Sequence, residues 1–186
     1  GMTAIRVDSP EVAAIKGSLR IRRLLSRLAA RPPVGAPASF RAFIAGHAVR
    51  LDEPALRRVR SDVLRSHQHN LGTDAARTVL AEAAWRSVRQ GERDAFLEAF
   101  DGSRDVDEFL ASWWRQLDPR ELLLTLADTD HAYAITRGVL EHEEAAALAS
   151  SYRDALDSGS WSVADAALVD ELVSRLGPVQ VAERED

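Results

Sequence analysis

The sequence predicts a mainly α-helical fold: an irregular multi-helix domain with one small β-hairpin at about residues 40–51. Apolar residues recur at intervals of three and four along most of the chain, as they do on the buried face of a helix. Caps, first-turn prolines and closing glycines divide these stretches into short segments with short connections, which argues against a regular four-helix bundle. The only convincing pair of predicted strands is in the hairpin stretch.

The first helix is predicted to begin at Ser9-Pro10-Glu11 and to run without a break to Pro32-Pro33. Residues 1–8 precede it, and we interpret Gly1-Met2 as an expression-tag remnant and the rest as an extended lead-in. The hairpin follows, with its strands on either side of a glycine-containing turn at Ala45-Gly46-His47. Because an isolated hairpin is only marginally stable, we expect it to pack on the helices.

The helices after the hairpin are marked by their start and stop residues. Asp52-Glu53-Pro54 and Thr73 are predicted to open the next two helices, and Gly91 is predicted to end the second. Asp118-Pro119 opens a later one. The predicted helices lie at about residues 52–67, 73–90, 92–100, 105–117, 118–127, 131–140 and 143–156.

The last predicted helix is the best marked. Ser162 is a candidate N-cap, Asp165 stands where the acid of a capping box belongs, and Gly177-Pro178 supplies the stop. Its apolar positions are Val163, Ala167, Leu168, Leu172 and Leu176. We therefore expect a single domain with one core over residues 9–178, followed by an acidic tail at residues 179–186.

Charge is distributed unevenly along the sequence. Residues 1–93 hold 17 Lys or Arg and 8 Asp or Glu, a net charge of +9, whereas residues 94–186 hold 7 and 21, a net charge of −14. Such polarity can steer a partner with two faces, or direct one end toward nucleic acid. The alternative is that the charged helix faces of the two halves complement one another.

The composition limits the classes of site. There is no cysteine, and hence no disulfide, thiolate metal site or cysteine nucleophile, which fits an intracellular protein. No apolar run approaches the roughly 20 residues that span a bilayer, so we expect no membrane partner. Lys16 is the only lysine, and an arginine-biased composition weakens arginine content as a sign of nucleic-acid binding.

We predict no catalytic, cofactor-binding or metal-ligating residue in this chain. A glycine-rich phosphate loop and a nucleophile elbow are both missing from the sequence. His67 and His69 are two positions apart, so on a helix they would diverge rather than share a metal. His131 and His142 have acidic neighbours, but such neighbours are common on protein surfaces.

Arginines are the best candidates for partner binding. One group recurs at intervals of three and four and therefore shares a helix face: Arg20, Arg23 and Arg27. A second group faces outward on the next helix and would extend this surface if the two helices were adjacent: Arg57, Arg58, Arg60 and Arg65. Guanidinium groups suit a phosphate or an acidic protein, and the alternative is that these arginines are simply solvated.

Trp113-Trp114 offers a possible stacking platform for a nucleic-acid base. Adjacent positions on a helix point about 100° apart, so we expect one indole in the core and the other half-exposed.

Two stretches resemble one protein family. The segment Trp161-Ser162, Asp165, Leu168, Asp170-Glu171 and Leu176-Gly177 is similar to the run before the Walker B strand in UvrD-like superfamily 1 helicases of the HelD type. The segment Pro10-Glu11-Val12-Ala13, Lys16-Gly17 and Leu19-Arg20 is similar to the start of the insertion in the first RecA-like domain of that family. The hairpin, the arginine-rich helix and Leu117-Asp118-Pro119-Arg120-Glu121-Leu122-Leu123 are similar in order and character, so the resemblance spans most of the chain.

The resemblance implies a cytoplasmic parent protein that uses ATP and Mg²⁺, and a chain that lies between the phosphate-binding loop and the Walker B acid. This chain alone would then be no enzyme and would hold no ATP-site residue. In HelD-like proteins such an insertion binds RNA polymerase, whereas in other helicases of the superfamily it contacts DNA. The acidic second half favours a protein partner, because it would repel DNA. A stand-alone helical scaffold is the third possibility.

Overall fold

The computed structural model describes residues 5–181 and confirms a mainly α-helical fold with one β-hairpin. Two 3-10 helices, His69–Leu71 and Thr125–Ala127, interrupt the order of the longer elements. In chain order these elements are β1 (Ile5–Arg6), α1 (Pro10–Lys16), α2 (Arg20–Ala30), β2 (Phe40–Ile44), β3 (His47–Leu51), α3 (Glu53–Leu64), α4 (Thr73–Val88), α5 (Arg93–Asp101), α6 (Arg104–Trp113), α7 (Pro119–Leu124), α8 (Thr129–Thr136), α9 (His142–Ser158), β4 (Trp161–Ser162) and α10 (Val163–Leu176).

The chain divides into two compact units. The first, here called the terminal unit, comprises residues 5–31 and 117–178; the second, the central unit, comprises residues 32–116 together with 179–181. Each unit has its own hydrophobic core, whereas the sequence predicted one core for residues 9–178. Apolar periodicity shows which face of each helix is buried but not which helices share a core, and this explains the difference. Gly1-Met2, for which the sequence analysis predicted a tag remnant, and most of the predicted acidic tail lie outside the described residues.

In the terminal unit, α1 and α2 are separate helices, so the prediction of one unbroken helix from Ser9 to Pro32 is wrong. Gly17 ends α1 and donates its N–H to Ala13. The hydroxyl of Ser18 donates to the carbonyl of Ile15 at 2.8 Å. A flexible glycine followed by a serine that bonds the backbone competes with helix continuation.

The lead-in residues pair with the two residues that precede α10. Ile5 pairs with Trp161 and Arg6 with Ser162, which makes β1 and β4 a short parallel pair. The core beside it is formed by α2, α7, α8, α9 and α10. On α10, the burial of Leu168, Leu172 and Leu176 matches the prediction, but Val163 is exposed. Ala167 is exposed as well. Asp165 and Val169 are buried in place of Val163 and Ala167.

The central unit is built around the predicted hairpin, whose position is confirmed, but His47 belongs to β3 and pairs with Ile44, so the turn has two residues and not the predicted three. Ala45 and Gly46 both have positive φ, 50° and 81°, the backbone geometry that a two-residue hairpin turn requires. Phe40, Ala42 and Ile44 are buried on one face of β2, and the hairpin packs on α4, α5 and α6 as expected. Phe40 lies between two rings of the helices, 6.1 Å from Phe100 and 4.8 Å from Phe109 by ring centroid.

Candidate functional site

The predicted arginine face of α2 is largely occupied by internal contacts of the terminal unit. The Arg20 guanidinium makes two 2.7 Å hydrogen bonds to Glu144 of α9. Those hydrogen bonds, with a backbone hydrogen bond from Glu141, lower the pKa of Glu144 to about 2. Arg27 donates to the carbonyls of Ile135 and Arg137, at 3.0 and 2.6 Å, where α8 ends.

Arg23 differs from these two neighbours. It is exposed and makes no side-chain hydrogen bond or ion pair with any residue in the described part of the chain. Of the three arginines predicted on this face, Arg23 alone keeps its guanidinium available to an external partner.

The four arginines predicted to face outward on the second helix differ in their surroundings, and Arg65, the residue after α3, pairs with Asp62 at 2.9 Å. Arg57 forms an exposed ion pair with Glu53 at 2.7 Å, and Arg58 is exposed without a partner among residues 5–181. Arg60 is only 3% exposed, so the prediction that it faces outward is wrong. The α3 arginines belong to the central unit and the α2 arginines to the terminal unit.

Arg60 is held in a buried aromatic cluster. Its guanidinium carbon lies 4.9 Å from the ring centroid of Trp113 and 4.5 Å from that of Trp114. Nη2 donates to the carbonyl of Trp113 at 2.8 Å, and Nη1 lies 3.3 Å from Nδ1 of His69. The His69 ring stacks on Trp114 with 4.6 Å between centroids, and its Nε2 lies 2.7 Å from the carbonyl of Arg115.

Both tryptophans of this cluster are buried, so the prediction of one half-exposed indole is wrong. Helix α6 ends at Trp113, and Trp114 has non-helical dihedrals, φ −123° and ψ 43°. The 100° step between successive helical side chains therefore does not apply to the pair. The indole N–H of Trp114 donates to the carbonyl of His69 at 2.9 Å, which satisfies its polar atom inside the core. The pair is thus a structural element rather than a stacking platform.

Burial sets the protonation states in the aromatic cluster. It lowers the pKa of Arg60 to about 10, which still leaves the guanidinium charged at neutral pH. Burial, with a smaller contribution from the charge of Arg60, lowers the pKa of His69 to about 4, although its hydrogen bond to Arg115 acts in the opposite direction. His69 is therefore neutral at pH 7. Its Nε2–H then donates to Arg115, and Nδ1 accepts from Arg60.

The terminal unit buries its cation differently. Nζ of Lys16, whose side chain is fully buried, lies 2.9 Å from Asp165 and 3.0 Å from Asp8. It also donates to the hydroxyls of Ser151 and Ser162, at 3.2 and 3.3 Å. The ammonium is thus surrounded by two carboxylates and two hydroxyls drawn from the lead-in, α9, β4 and α10.

The two carboxylates of the Lys16 cluster are fully hydrogen-bonded. Asp165 forms the predicted capping box with Ser162, which is confirmed, and it also accepts from the hydroxyl of Tyr152 at 2.9 Å. Burial alone would raise the pKa of Asp8, but Ser162, Lys16 and Ser151 together hold it below its usual value. Burial, with the charge of Asp165, raises the pKa of Tyr152 well above its usual value, so its hydroxyl remains a donor.

The charge asymmetry of the sequence disappears in the folded units. The terminal unit holds 11 Lys or Arg and 14 Asp or Glu among residues 5–31 and 117–178, and residues 32–116 hold 12 of each. Arg20 of the basic half pairs with Glu144 of the acidic half, and Arg77 pairs with Asp107 in the same way. The complementary-face interpretation therefore accounts for much of the asymmetry.

The histidines do not gather into a metal site. His67 is exposed, whereas His69 belongs to the aromatic cluster. Within residues 5–181 there is no group of three or more His, Asp or Glu side chains arranged to hold a metal ion. Over the same range, no helix is both long and apolar enough to cross a membrane.

The sequence matches no protein-family model, and a search of curated proteins finds no match.

Sequence reasoning missed both buried cations. One signal for Lys16 was available, because it is the only lysine in an arginine-rich chain. For Arg60, the signal was its helical spacing from Leu56 and Val63, which puts it on the same buried face of the helix.

Proposed function

We propose that this chain is the inserted helical domain of a UvrD-like superfamily 1 helicase of the HelD type, and that it binds RNA polymerase. The observation that carries the proposal is the joining of the two terminal segments within one unit. β1 pairs with β4, and the Lys16 cluster links Asp8 of the lead-in to Asp165 of α10. A unit whose first and last segments are held together is suited to insertion into a host domain.

A protein partner fits the charges better than DNA does. Neither unit carries a net positive charge, and duplex binding depends on neutralising several phosphates. Arg20 and Arg27, two of the three arginines on the candidate DNA-binding face, are held by contacts within the terminal unit. The parent protein would be cytoplasmic and would supply the ATP and Mg²⁺ chemistry, with this domain acting as a non-catalytic contact module.

The experiment is a pull-down of core RNA polymerase by the immobilised chain, with duplex binding measured in parallel by fluorescence anisotropy. We expect polymerase to be retained and duplex DNA to bind weakly at physiological salt. An Arg23→Gln variant tests the second candidate, DNA contact through the one unpaired arginine of the α2 face. No retention of polymerase, together with duplex binding that weakens steeply with salt and on Arg23→Gln, would replace the proposal with the DNA-contacting insertion. Failure of both binding reactions favours a stand-alone scaffold.

A further inference from the structure

The central unit carries a groove of about 540 Å³ between β3, α3 and α4. Its wall is formed by aliphatic side chains from all three elements: Leu51, Ala55, Val59, Val79 and Ala83. Three arginines, one from each element, also line it: Arg50, Arg58 and Arg86. The groove therefore combines an apolar lining with arginines from three different elements.

These three guanidinium groups have no internal partner. Arg50, Arg58 and Arg86 are exposed, and none makes a side-chain hydrogen bond or ion pair within the described range 5–181. Their neighbours on α3 behave differently, since Arg57 pairs with Glu53 and Arg65 with Asp62. The arginines that line the groove thus belong to those whose charge is left for an external anion, as Arg23 of α2 does.

The outer face of the hairpin extends this surface. Arg41 lies directly opposite Arg50 across the two strands, and both are exposed. Like charges at directly opposed positions destabilise a strand pair. An anion that binds both arginines would therefore reduce the repulsion between them. On the same face, Phe43 is 78% exposed and provides an aromatic contact. Arg50 belongs to both the hairpin face and the groove.

We propose that the groove and the outer hairpin face form a docking surface for an acidic segment of a partner protein. Aliphatic side chains of that segment would enter the groove, and its carboxylates would bind Arg50, Arg58 and Arg86 through paired hydrogen bonds. This inference rests on the proposed function, because it names the surface through which the domain would bind RNA polymerase.

The lining favours a peptide over a nucleic acid. No aromatic ring from residues 5–181 lines the groove itself, and Phe43 on the hairpin face is a single ring, so successive bases would find no series of stacking surfaces. Asp52 and Asp62 also line it, where Asp52 caps α3 through the N–H of Ala55 and Asp62 pairs with Arg65. Their negative charges disfavour a continuous phosphate backbone, whereas a peptide with spaced carboxylates and aliphatic side chains can place its charges on the three arginines.

The test uses the full chain and a fluorescein-labelled peptide built of Glu-Glu-Leu repeats, with binding followed by fluorescence anisotropy. The groove variant is Arg50→Glu/Arg58→Glu/Arg86→Glu. The matched control is Arg22→Glu/Arg120→Glu/Arg137→Glu, which changes the net charge equally at exposed arginines of the terminal unit whose side chains have no partner among residues 5–181. Circular dichroism of both variants establishes that they fold, and a groove variant that does not fold is replaced by the three single substitutions.

We expect the peptide to bind the unmodified chain, and we expect the groove variant to weaken binding about tenfold or more while the control retains it. A peptide of Lys-Lys-Leu repeats is expected not to bind. Absence of Glu-Glu-Leu binding, or an equal loss in both variants, overturns the inference. Tighter binding of labelled oligothymidine than of the acidic peptide, lost in the groove variant, also overturns it, because the groove would then serve a nucleic acid.

The same variants are tested for retention of core RNA polymerase, which separates the two proposals. Loss of retention in the groove variant alone supports both. Retention that is equal in the unmodified chain and both variants overturns the groove inference and leaves the proposed function standing. Peptide binding at the groove without polymerase retention supports the docking surface and contradicts the proposed partner.

Discussion

The terminal and central units each bury a cation, and the two cations are stabilised by different groups. Lys16 sits between two carboxylates and two hydroxyls, whereas no carboxylate among residues 5–181 contacts the Arg60 guanidinium, which meets two indole rings, a carbonyl and a neutral imidazole. An ammonium is a compact, strongly hydrated charge, and a guanidinium is planar and weakly hydrated. The lysine therefore needs ionic partners to replace its water, while the arginine is accommodated by aromatic faces.

The two clusters also differ in what they connect. The Lys16 cluster joins Asp8 and Asp165, which are far apart in sequence, so it fixes the lead-in to the last helix. The Arg60 cluster joins α3 to the end of α6 and to His69 within a continuous stretch of the central unit. The first cluster closes a unit made from two distant segments, and the second fills the core of a unit that is nearly continuous in sequence.

Lys16→Met is expected to have the largest effect on stability. It leaves two buried carboxylates without their cation, and removal of one partner of a buried ion pair costs about 3–5 kcal/mol. The free energy of unfolding from urea denaturation measures the loss. A loss below that of Arg60→Met would reverse the comparison between the two clusters.

The pH dependence of stability is the next largest effect, and it belongs to the Arg60 cluster. The folded pKa of His69 is about 4 and its unfolded value about 6.5, so the unfolded chain takes up a proton first. The contribution of His69 to the free energy of unfolding is fully present above pH 6.5. It is lost as the pH falls toward 4, a change of about 3 kcal/mol. Urea denaturation at pH 7 and pH 4.5 measures this slope.

His69→Gln is the control for the pH prediction, because glutamine does not titrate in this range. The variant is expected to be less stable at pH 7 but to lose less stability on acidification than the unmodified chain. The carboxylates with lowered pKa values, Asp8 and Glu144, titrate in both proteins and cancel in the comparison. Parallel pH profiles would show that His69 does not titrate as its burial requires.

Arg60→Met is expected to cost about 1–3 kcal/mol, less than Lys16→Met. The substitution removes a charge that has no carboxylate partner, and it leaves the carbonyl of Trp113 and Nδ1 of His69 without their donor. Urea denaturation of both methionine variants under the same conditions compares their losses in the free energy of unfolding. Intrinsic tryptophan fluorescence provides a second measurement, because the guanidinium contacts both indoles of the cluster.

Tyr152→Phe is expected to have the smallest effect, about 1 kcal/mol. It removes a single hydrogen bond to Asp165, which keeps its contacts with Lys16 and Ser162. Thermal unfolding followed by circular dichroism measures the change. A loss as large as that of Lys16→Met would mean that the tyrosine, rather than the ammonium, holds the cluster together.

The features that could be predicted from the sequence are those coded locally. The hairpin at residues 40–51 follows from alternating residues and a turn that accepts positive φ. The capping box of Ser162 and Asp165 follows from a spacing of three. In both cases the interacting residues are close together in the chain, so a local sequence pattern includes all of them.

The features that the sequence did not reveal depend on distant partners. Lys16 meets Ser151 across 135 positions, and no local pattern indicates that contact. The orientation of Trp114 depended on where α6 ends, and the division into two units depended on which helices share a core. The arginines that line the groove were also not grouped, because they come from a strand and two helices.

The most direct test of the central claim is the affinity of the full chain for core RNA polymerase, measured by biolayer interferometry with duplex DNA as a competitor. We predict saturable binding that excess duplex does not displace, because the surface assigned to the polymerase is complementary to an acidic protein segment. Absence of binding, or complete displacement by duplex DNA, would contradict it.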